Sequence, residues 1–281
     1  MSILPISDDE LLGLFPRYGY LTVEHVTRRY FGRSRTHVGE RLKQLREGGL
    51  LAVVTEDIHH RARSDAYIYH LTRQGQQHLA RQGFALPARF RNERRPGAHT
   101  IGVTHFFIAL ERLAQDHPDV TIDQLLHELD YDRAPDRFTA PDGTAWSVKP
   151  DGWARVWVAG DERCLALEYD RGTERDEKTW RQKIQKLLAW MDCYYQAHYA
   201  TDRLAVAIVA APGTRRRDQL LRMTESALRH EGREAEGGLF LVTGEDPATV
   251  DPLDFFGSPV WLEPFSRTAH PLLAGLTRPD P

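Results

Sequence analysis

Apolar and polar positions alternate in short blocks over the first 83 residues of the chain. Apolar side chains recur at the three- and four-residue spacing of an amphipathic helix in four segments, at residues 8–15, 22–31, 35–47 and 73–81. Between the third and the fourth segment, two stretches with strand-like alternation, at residues 50–55 and 66–71, predict a β-hairpin. The pattern therefore predicts three helices, a hairpin and a closing helix.

A different pattern follows residue 98, where longer apolar helices alternate with strands. Helices are predicted at residues 99–113, from a cap at Thr173, and at 215–230, and strands at 146–149, 154–158, 163–169, 204–210 and 238–243. Residues 125–131 fit a strand and a helix end equally well, and residues 259–281 show little periodicity. We therefore predict four parts: a first domain at 1–86, a basic linker at 87–98, an α/β domain with a mixed sheet at 99–258, and a C-terminal tail at 259–281.

Charge is distributed unevenly between these parts. Residues 1–99 carry 16 Lys and Arg against 10 Asp and Glu, whereas the remaining residues carry 21 against 30, although the net charge of the whole chain is only −3. A basic first half suggests that it contacts a polyanion. The acidic second half is less suited to holding DNA unless metal ions or local basic patches intervene.

Composition also narrows the location of the protein. No run of about 18 apolar residues is present to span a bilayer, and the amino terminus lacks a basic segment followed by a cleavable apolar one. We expect a cytoplasmic protein without a membrane partner. The two cysteines, Cys164 and Cys193, fall in a predicted core strand and a predicted helix, which argues against a disulfide or a zinc site.

The order of three helices and a hairpin, with a basic outer face on the third helix, resembles the winged helix-turn-helix family over residues 7–83. In that family the third helix enters the major groove of double-stranded DNA, and the hairpin tip contacts the backbone or the minor groove. By position, the resemblance implies DNA contacts from Arg33, Ser34, Arg35, Thr36, His37, Arg41 and Lys43 on the helix side and from His59, His60, Arg61 and Arg63 at the wing. Two alternatives stay open: a protein-interaction module and a basic face that is merely solvated.

Three acidic residues of the second domain are candidates for chemistry. Glu168 and Asp170 alternate with Tyr169 on a predicted strand, so they point to the same face. A strand pair joining Asp151 to Glu168 would gather three carboxylates, the ligands that Mg²⁺ or Mn²⁺ prefers, at one sheet edge. The alternative for Asp151 is a turn residue, because the same Pro-Asp-Gly triplet also occurs at residues 141–143.

The order helix, strands, helix, strand, with Pro150-Asp151 and Glu168-x-Asp170 on successive strands, resembles the PD-(D/E)XK nuclease superfamily. Together with the upstream winged helix and the motifs at residues 99–105 and 168–174, the chain resembles more closely the replication-relaxation family, over about residues 7–245. That resemblance implies a protein of a plasmid or mobile element that binds DNA during replication or relaxation, with replication or mobilisation proteins as partners.

The chain does not match the nuclease pattern completely, because Asp170 occupies the position at which that pattern has a lysine. We expect Lys183 on the following helix to replace that lysine, since it lies beside the apolar stripe of the helix; Lys149 is a second option. The predicted catalytic set is then Asp151, Glu168, Asp170 and Lys183, with the three carboxylates as metal ligands. Glu111 or Glu128 would add a fourth carboxylate, whereas we expect His105 to have a core role.

Three functions remain open at this stage. The first is a DNA-binding protein of replication or relaxation with a nuclease-like second domain whose activity the sequence leaves open. The second is an active Mg²⁺-dependent endonuclease or nickase. The third is a transcription regulator whose acidic domain serves dimerisation or sensing, for which a homodimer would be expected. Surface ion pairs are the remaining interpretation of the acidic residues.

Overall fold

A computed structural model describes residues 7–30, 34–54, 67–86, 97–172, 176–211 and 213–276. By internal contacts the chain divides into two units, Met1–Arg112 and Leu113–Pro281. The division falls inside one long helix, Ala98–Asp116, whose first part belongs to the first unit and whose last turn belongs to the second.

The first unit contains short helices and a small antiparallel sheet. Its elements are α1 (Asp8–Leu12), α2 (Phe15–Tyr18), β1 (Tyr20–Thr22), α3 (Val23–Arg29), α4 (Arg35–Glu47), β2 (Leu51–Val54), β3 (Ile68–Leu71), α5 (Arg73–Arg81) and most of α6 (Ala98–Asp116). The predicted helices and the described ends of the hairpin are confirmed. The single helix predicted at residues 8–15 is instead two, because α1 ends at Leu12 with Gly13 as its C-cap, and α2 begins at Phe15 with Pro16 in its first turn.

The sheet of the first unit includes one strand that the pattern did not predict. β1 pairs with β3 in antiparallel fashion, so the strand order is β1-β3-β2. Three residues are too few to show the alternation of a strand. Thr22 at the end of β1 also caps α3, because its hydroxyl accepts a hydrogen bond from the backbone N–H of His25 at 3.2 Å. β1 and α3 are therefore joined without a loop.

The second unit is a mixed α/β structure, as predicted. Its elements are β4 (Val120–His127), α7 (Glu128–Arg133), β5 (Asp136–Thr139), β6 (Ala145–Val148), β7 (Gly152–Val158), β8 (Asp161–Asp170), α8 (Glu177–Trp190), α9 (Gln196–Tyr199), β9 (Ala205–Ala210), α10 (Thr214–Glu231), β10 (Phe240–Thr243), α11 (Pro252–Gly257), β11 (Trp261–Leu262) and β12 (Ala269–His270). A π-helical turn, Met191–Tyr195, joins α8 to α9, and a 3-10 helix, Glu234–Leu239, precedes β10.

Seven strands of this unit form one sheet with the order β12-β11-β10-β9-β8-β7-β4. β4, β7 and β8 are antiparallel neighbours, whereas β8, β9 and β10 run parallel to one another. The segment at residues 125–131, which fitted two structures, is the end of β4 followed by α7. The C-terminal residues that lacked periodicity contribute the two short strands β11 and β12, of which β12 lies at the edge of the sheet.

One face of this sheet forms the core with α8 and α10. The buried stripe of α8, which includes Trp180, Ile184 and Leu187, packs in one cluster with Val206 and Ile208 of β9. α8 begins at Glu177 with Asp176 as its N-cap, whereas the predicted cap, Thr173, lies outside the described residues. Side chains on that face of β8 are therefore directed toward the two helices, and this positions its carboxylates.

Candidate functional site

The start of α4 presents the predicted DNA-contacting residues at the surface. Ser34 caps the helix, since its hydroxyl accepts a hydrogen bond from the N–H of His37 at 3.1 Å. The buried stripe of Val38, Leu42 and Leu45 fixes the inner face of the helix. The opposite face is consequently solvent-exposed at its first residues, Ser34, Arg35, Thr36 and His37.

The basic side chains of α4 differ in how firmly they are held. Arg41 is tied to α1, because its Nε lies 2.6 Å from Asp8 Oδ1 and its Nη1 donates to Gln44 Oε1 at 2.8 Å. Arg35 and Lys43 have only long, exposed ion pairs of 3.8 Å. Exposed pairs of this kind contribute about 0–1 kcal/mol, so Arg35 and Lys43 are available to an external anion.

The remaining predicted contacts cannot be placed on this surface. Arg33 lies outside the described residues, and so do His59, His60, Arg61 and Arg63 at the tip of the hairpin. They remain predictions from the sequence.

Glu168 forms an ion pair with Lys183, which was predicted to replace the lysine that the nuclease pattern has at position 170. Lys183 Nζ lies 2.6 Å from Glu168 Oε2, and 5.6 Å from the centroid of the Trp180 ring. The Glu168 side chain is 3% exposed and that of Lys183 is 28% exposed, so the pair is closed on the sheet side and reaches solvent through the lysine. The carboxylate of β8 and the amine of α8 are thus brought together by the packing of α8 on the sheet.

Asp170 has a different partner, which the sequence analysis missed. Arg216 at the start of α10 donates from Nε to Asp170 Oδ2 at 2.6 Å and from Nη2 to Oδ1 at 3.0 Å. The N–H of Gly172 donates to Oδ2 as well, at 2.8 Å. The arginine and aspartate side chains are 6% and 3% exposed. Both oxygens of Asp170 are therefore occupied in a closed, bidentate pair.

Asp151 lies at the junction of the paired strands β7 and β8. Its N–H donates to Leu167 O at 2.9 Å, and its Oδ2 accepts from the N–H of Tyr169 at 2.7 Å. A carboxylate oxygen of Glu128 lies within 4.8 Å of one of its own. Within the described parts of the chain, however, Asp151, Glu168 and Asp170 do not form a set of ligand atoms within 4.8 Å of one another.

The two Pro-Asp-Gly triplets differ in structure. At residues 141–143 the chain turns between β5 and β6, with Gly143 at a φ of 86° and Asp142 accepting from the N–H of Thr144 at 2.8 Å. This bond holds the pKa of Asp142 below its usual value. In the second triplet, Gly152 is the first residue of β7, and Asp151 binds the neighbouring strand. Asp151 lies at a bend between β6 and β7, so the interpretation as a turn residue stays open, but unlike Asp142 it also accepts a hydrogen bond from the neighbouring strand.

Glu111, considered as a fourth carboxylate, and His105, expected in the core, have structural partners in the first unit. Glu111 is buried and forms ion pairs with Arg17 and with Arg29, the second at 2.6 Å. The His105 ring packs edge-on against that of His25, with centroids 4.0 Å apart. Burial, aided by the nearby charge of Arg28, lowers the pKa of His105 to about 3, so the ring is neutral near pH 7.

Arg216 is visible in the sequence as a basic residue, but the sequence pattern does not show which acidic residue it contacts. β8 and β9 are parallel, so their carboxyl ends meet at one edge of the sheet, and α10 begins four residues after β9 ends. A basic residue in the first turn of that helix is then close to an acid at the end of β8. This inference needs the strand order, which the sequence pattern does not supply.

Comparisons with known proteins give one positive finding. The family model described as replication-relaxation matches residues 12–206, more than two thirds of the chain. No curated protein and no solved structure shows a significant match. Within the described ranges, every helix is too short or too polar to cross a membrane.

Proposed function

The chain belongs to the replication-relaxation family, and from this premise we propose that it binds double-stranded DNA through the start of α4. The family points to a role in the replication or relaxation of a plasmid or mobile element. A DNA-binding protein in such a process needs a surface that contacts the duplex, and replication or mobilisation proteins are its expected partners. The first unit contains the surface that fits this task best.

The arrangement of the first unit supports a winged helix-turn-helix. Four helices, α1 to α4, precede the hairpin strands β2 and β3, and the additional strand β1 pairs beside them in the order β1-β3-β2. In DNA-binding proteins of this kind, the N-terminal residues of the recognition helix contact base edges. α4 occupies that position in the chain. The observation that carries the proposal is the exposed, capped start of α4 with Arg35, Thr36 and His37 directed outward.

Different tasks are expected for the basic residues of this helix. Arg35 and His37 lie in the first turn, where they are positioned for base edges, whereas Lys43 lies two turns later and is suited to a phosphate. Arg41, which is bound to Asp8, is expected to hold α4 against α1 and to contribute less to DNA affinity. Arg33 at the helix start and Arg61 and Arg63 at the wing remain proposed contacts.

The test is a selection of the full-length protein on a pool of randomised duplexes, followed by affinity measurements on the selected sequence. Replacing Arg35 by Ala should weaken binding about tenfold, since one base or charge-assisted contact is worth about 1–3 kcal/mol. Lys178→Ala, at an exposed position of α8, is the matched control and should change affinity less than twofold. Equal losses in the two variants, or no enrichment of any sequence, would contradict the proposal.

A second candidate function is a Mg²⁺- or Mn²⁺-dependent endonuclease or nickase. The meander β4-β7-β8, followed by α8 and the parallel strand β9, supports a PD-(D/E)XK-like scaffold. The specific observation in its favour is Lys183 at 2.6 Å from Glu168, in place of the lysine that the chain lacks at residue 170. The proposed catalytic residues are Asp151, Glu168, Asp170 and Lys183.

The three carboxylates fit a metal ion only in part. Carboxylate oxygen is the ligand type that Mg²⁺ prefers, but Asp170 would have to leave Arg216 to bind one, and the three do not converge among the described residues. A narrower form of the proposal uses Asp151 and Glu168 as ligands.

This second function is tested with supercoiled plasmid incubated with Mg²⁺, Mn²⁺ or EDTA. An active nickase should convert the plasmid to open circles in a metal-dependent manner, and Glu168→Ala should abolish the conversion. A plasmid that stays supercoiled under every condition, while the duplex selection succeeds, would reject the nuclease and leave DNA binding as the function.

A further inference from the structure

The second unit contains a pocket of about 440 Å³ between β6 and α8. Its lining residues are Ser147, Val148, Lys149, Glu168, Thr179, Gln182, Lys183, Lys186 and Leu187. A volume of this size is in the range of pockets that hold small ligands or one nucleotide unit. Val148 and Leu187 form an apolar part of the wall, and the hydroxyl of Ser147 and the amide of Gln182 supply hydrogen-bond donors, whereas the hydroxyl of Thr179 donates to Asp176 Oδ2 at 3.0 Å.

Lysine is concentrated in this pocket. The whole chain has five lysines, at positions 43, 149, 178, 183 and 186, while most of its 37 basic residues are arginine. Three of the five lysines line the pocket, and Lys178 lies on the same helix without lining it. Because residues 100–281 carry more acidic than basic side chains, the pocket is a local basic patch in an acidic part of the protein.

The three lysines are neutralised to different degrees. Lys183 is paired with Glu168 at the base of the pocket. Lys149 Nζ lies 3.1 Å from Asp132 Oδ1, but both side chains are about half exposed, so this pair is weak. Lys186 is exposed and has no ion-pair partner in the described part of the chain. Positive charge from Lys186 and Lys149 is therefore available to a ligand.

We propose that this pocket binds a phosphate group of a DNA strand, as a contact separate from α4. Ammonium groups are compact charges that bind phosphate oxygens well. The neighbouring hydroxyl and amide donors satisfy further phosphate oxygens, and the apolar wall accommodates the attached sugar. Glu168 does not prevent binding, because its charge is compensated by Lys183.

The experiment measures the affinity of the full-length protein for a fluorescein-labelled single strand of ten thymidines. This probe has no major groove, so a winged helix does not read it as a duplex. Lys186→Ala and Lys149→Ala should each weaken binding about fivefold, which corresponds to the interaction of one pair of unit charges about 4 Å apart in water. The slope of log affinity against log salt concentration is negative, and its magnitude should decrease by about 0.7 for each lost phosphate contact.

Lys178→Ala is the matched control and should bind the probe as the unchanged protein does. Equal weakening by Lys178→Ala and Lys186→Ala would overturn the proposal, because binding would then follow the overall charge. It is also overturned if the unchanged protein does not bind the labelled strand, whether or not it binds 5′-dTMP or inorganic phosphate.

Two further probes identify the source of the phosphate. If a strand is the ligand, 5′-dTMP and inorganic phosphate should displace the labelled strand only at concentrations at least about a hundredfold above its Kd, since each offers one phosphate contact. Displacement by 5′-dTMP near that Kd would reject the strand and assign the pocket to a free nucleotide.

The outcome is independent of the duplex contact through α4. Arg35→Ala should weaken duplex binding and leave binding of the single strand unchanged. Failure of the Arg35 prediction would count against the proposed role of α4 alone, whereas failure of the Lys186 prediction would count against the pocket alone.

Discussion

Glu168 and Asp170 lie two residues apart on the same face of β8, yet their surroundings differ. Asp170 is held at both oxygens by Arg216, and both side chains are almost fully buried. Glu168 is equally buried, but its partner Lys183 lines a pocket. Both acids are paired with a cation from a helix, and the pair formed by Glu168 and Lys183 lines a pocket that a ligand can enter. Glu168 borders the pocket, and we propose that Asp170, which is held by Arg216, stabilises the scaffold.

The largest effect is expected from breaking the closed pair. Arg216→Met leaves Asp170 as a buried charge without its main partner, and it should lower the free energy of unfolding by about 3–5 kcal/mol. Chemical denaturation measures this value. The matched control is Arg217→Met, since the neighbouring Arg217 is partly exposed and pairs with Asp218. A loss below about 1 kcal/mol for Arg216→Met would mean that the closed pair is not a structural element.

A smaller effect is expected from breaking the pair at the pocket. Lys183→Met should lower the free energy of unfolding by about 1–2 kcal/mol, because water entering from the pocket then solvates the Glu168 carboxylate and reduces the cost of leaving it unpaired. Denaturation under the same conditions gives the comparison. A loss as large as that of Arg216→Met would show that Glu168 is sealed from the pocket.

The smallest effect is expected at Lys186, which has no ion-pair partner among the residues that the structure describes. Lys186→Met should change the free energy of unfolding by less than about 0.5 kcal/mol, as is usual for an exposed residue. Its affinity for the single strand should nevertheless fall. A stability change above about 1 kcal/mol would indicate a structural role and would make its binding defect hard to interpret.

Much of the fold follows from local patterns in the sequence. The stripe of Val38, Leu42 and Leu45 and the cap at Ser34 defined α4, and the apolar run before Ala210 defined a central strand. Short elements were missed because they carry no period: β1 has three residues, and β11 and β12 have two each. Their pairing depends on strands far away in the sequence.

The candidate site was predictable only where helix geometry sufficed. Lys183 was expected near Glu168 because it flanks the buried stripe of α8, and the structure has them in contact. The partner of Asp170 was not predictable, because Arg216 reaches it only through the parallel pairing of β8 with β9. Alternation along a strand places two acids on one face, and the helices packed there decide what each contacts.

The most direct test of this division is to measure binding of the ten-thymidine strand to Glu168→Gln and Asp170→Asn proteins, each verified as folded by circular dichroism. Glu168→Gln removes the charge that neutralises Lys183, so binding should strengthen about fivefold, as expected for one unit charge about 4 Å away. Asp170→Asn should bind within twofold of the unchanged protein. Equal affinities for Glu168→Gln and the unchanged protein, or a change of similar size in both variants, would contradict the assignment of Glu168 to the site and of Asp170 to the scaffold.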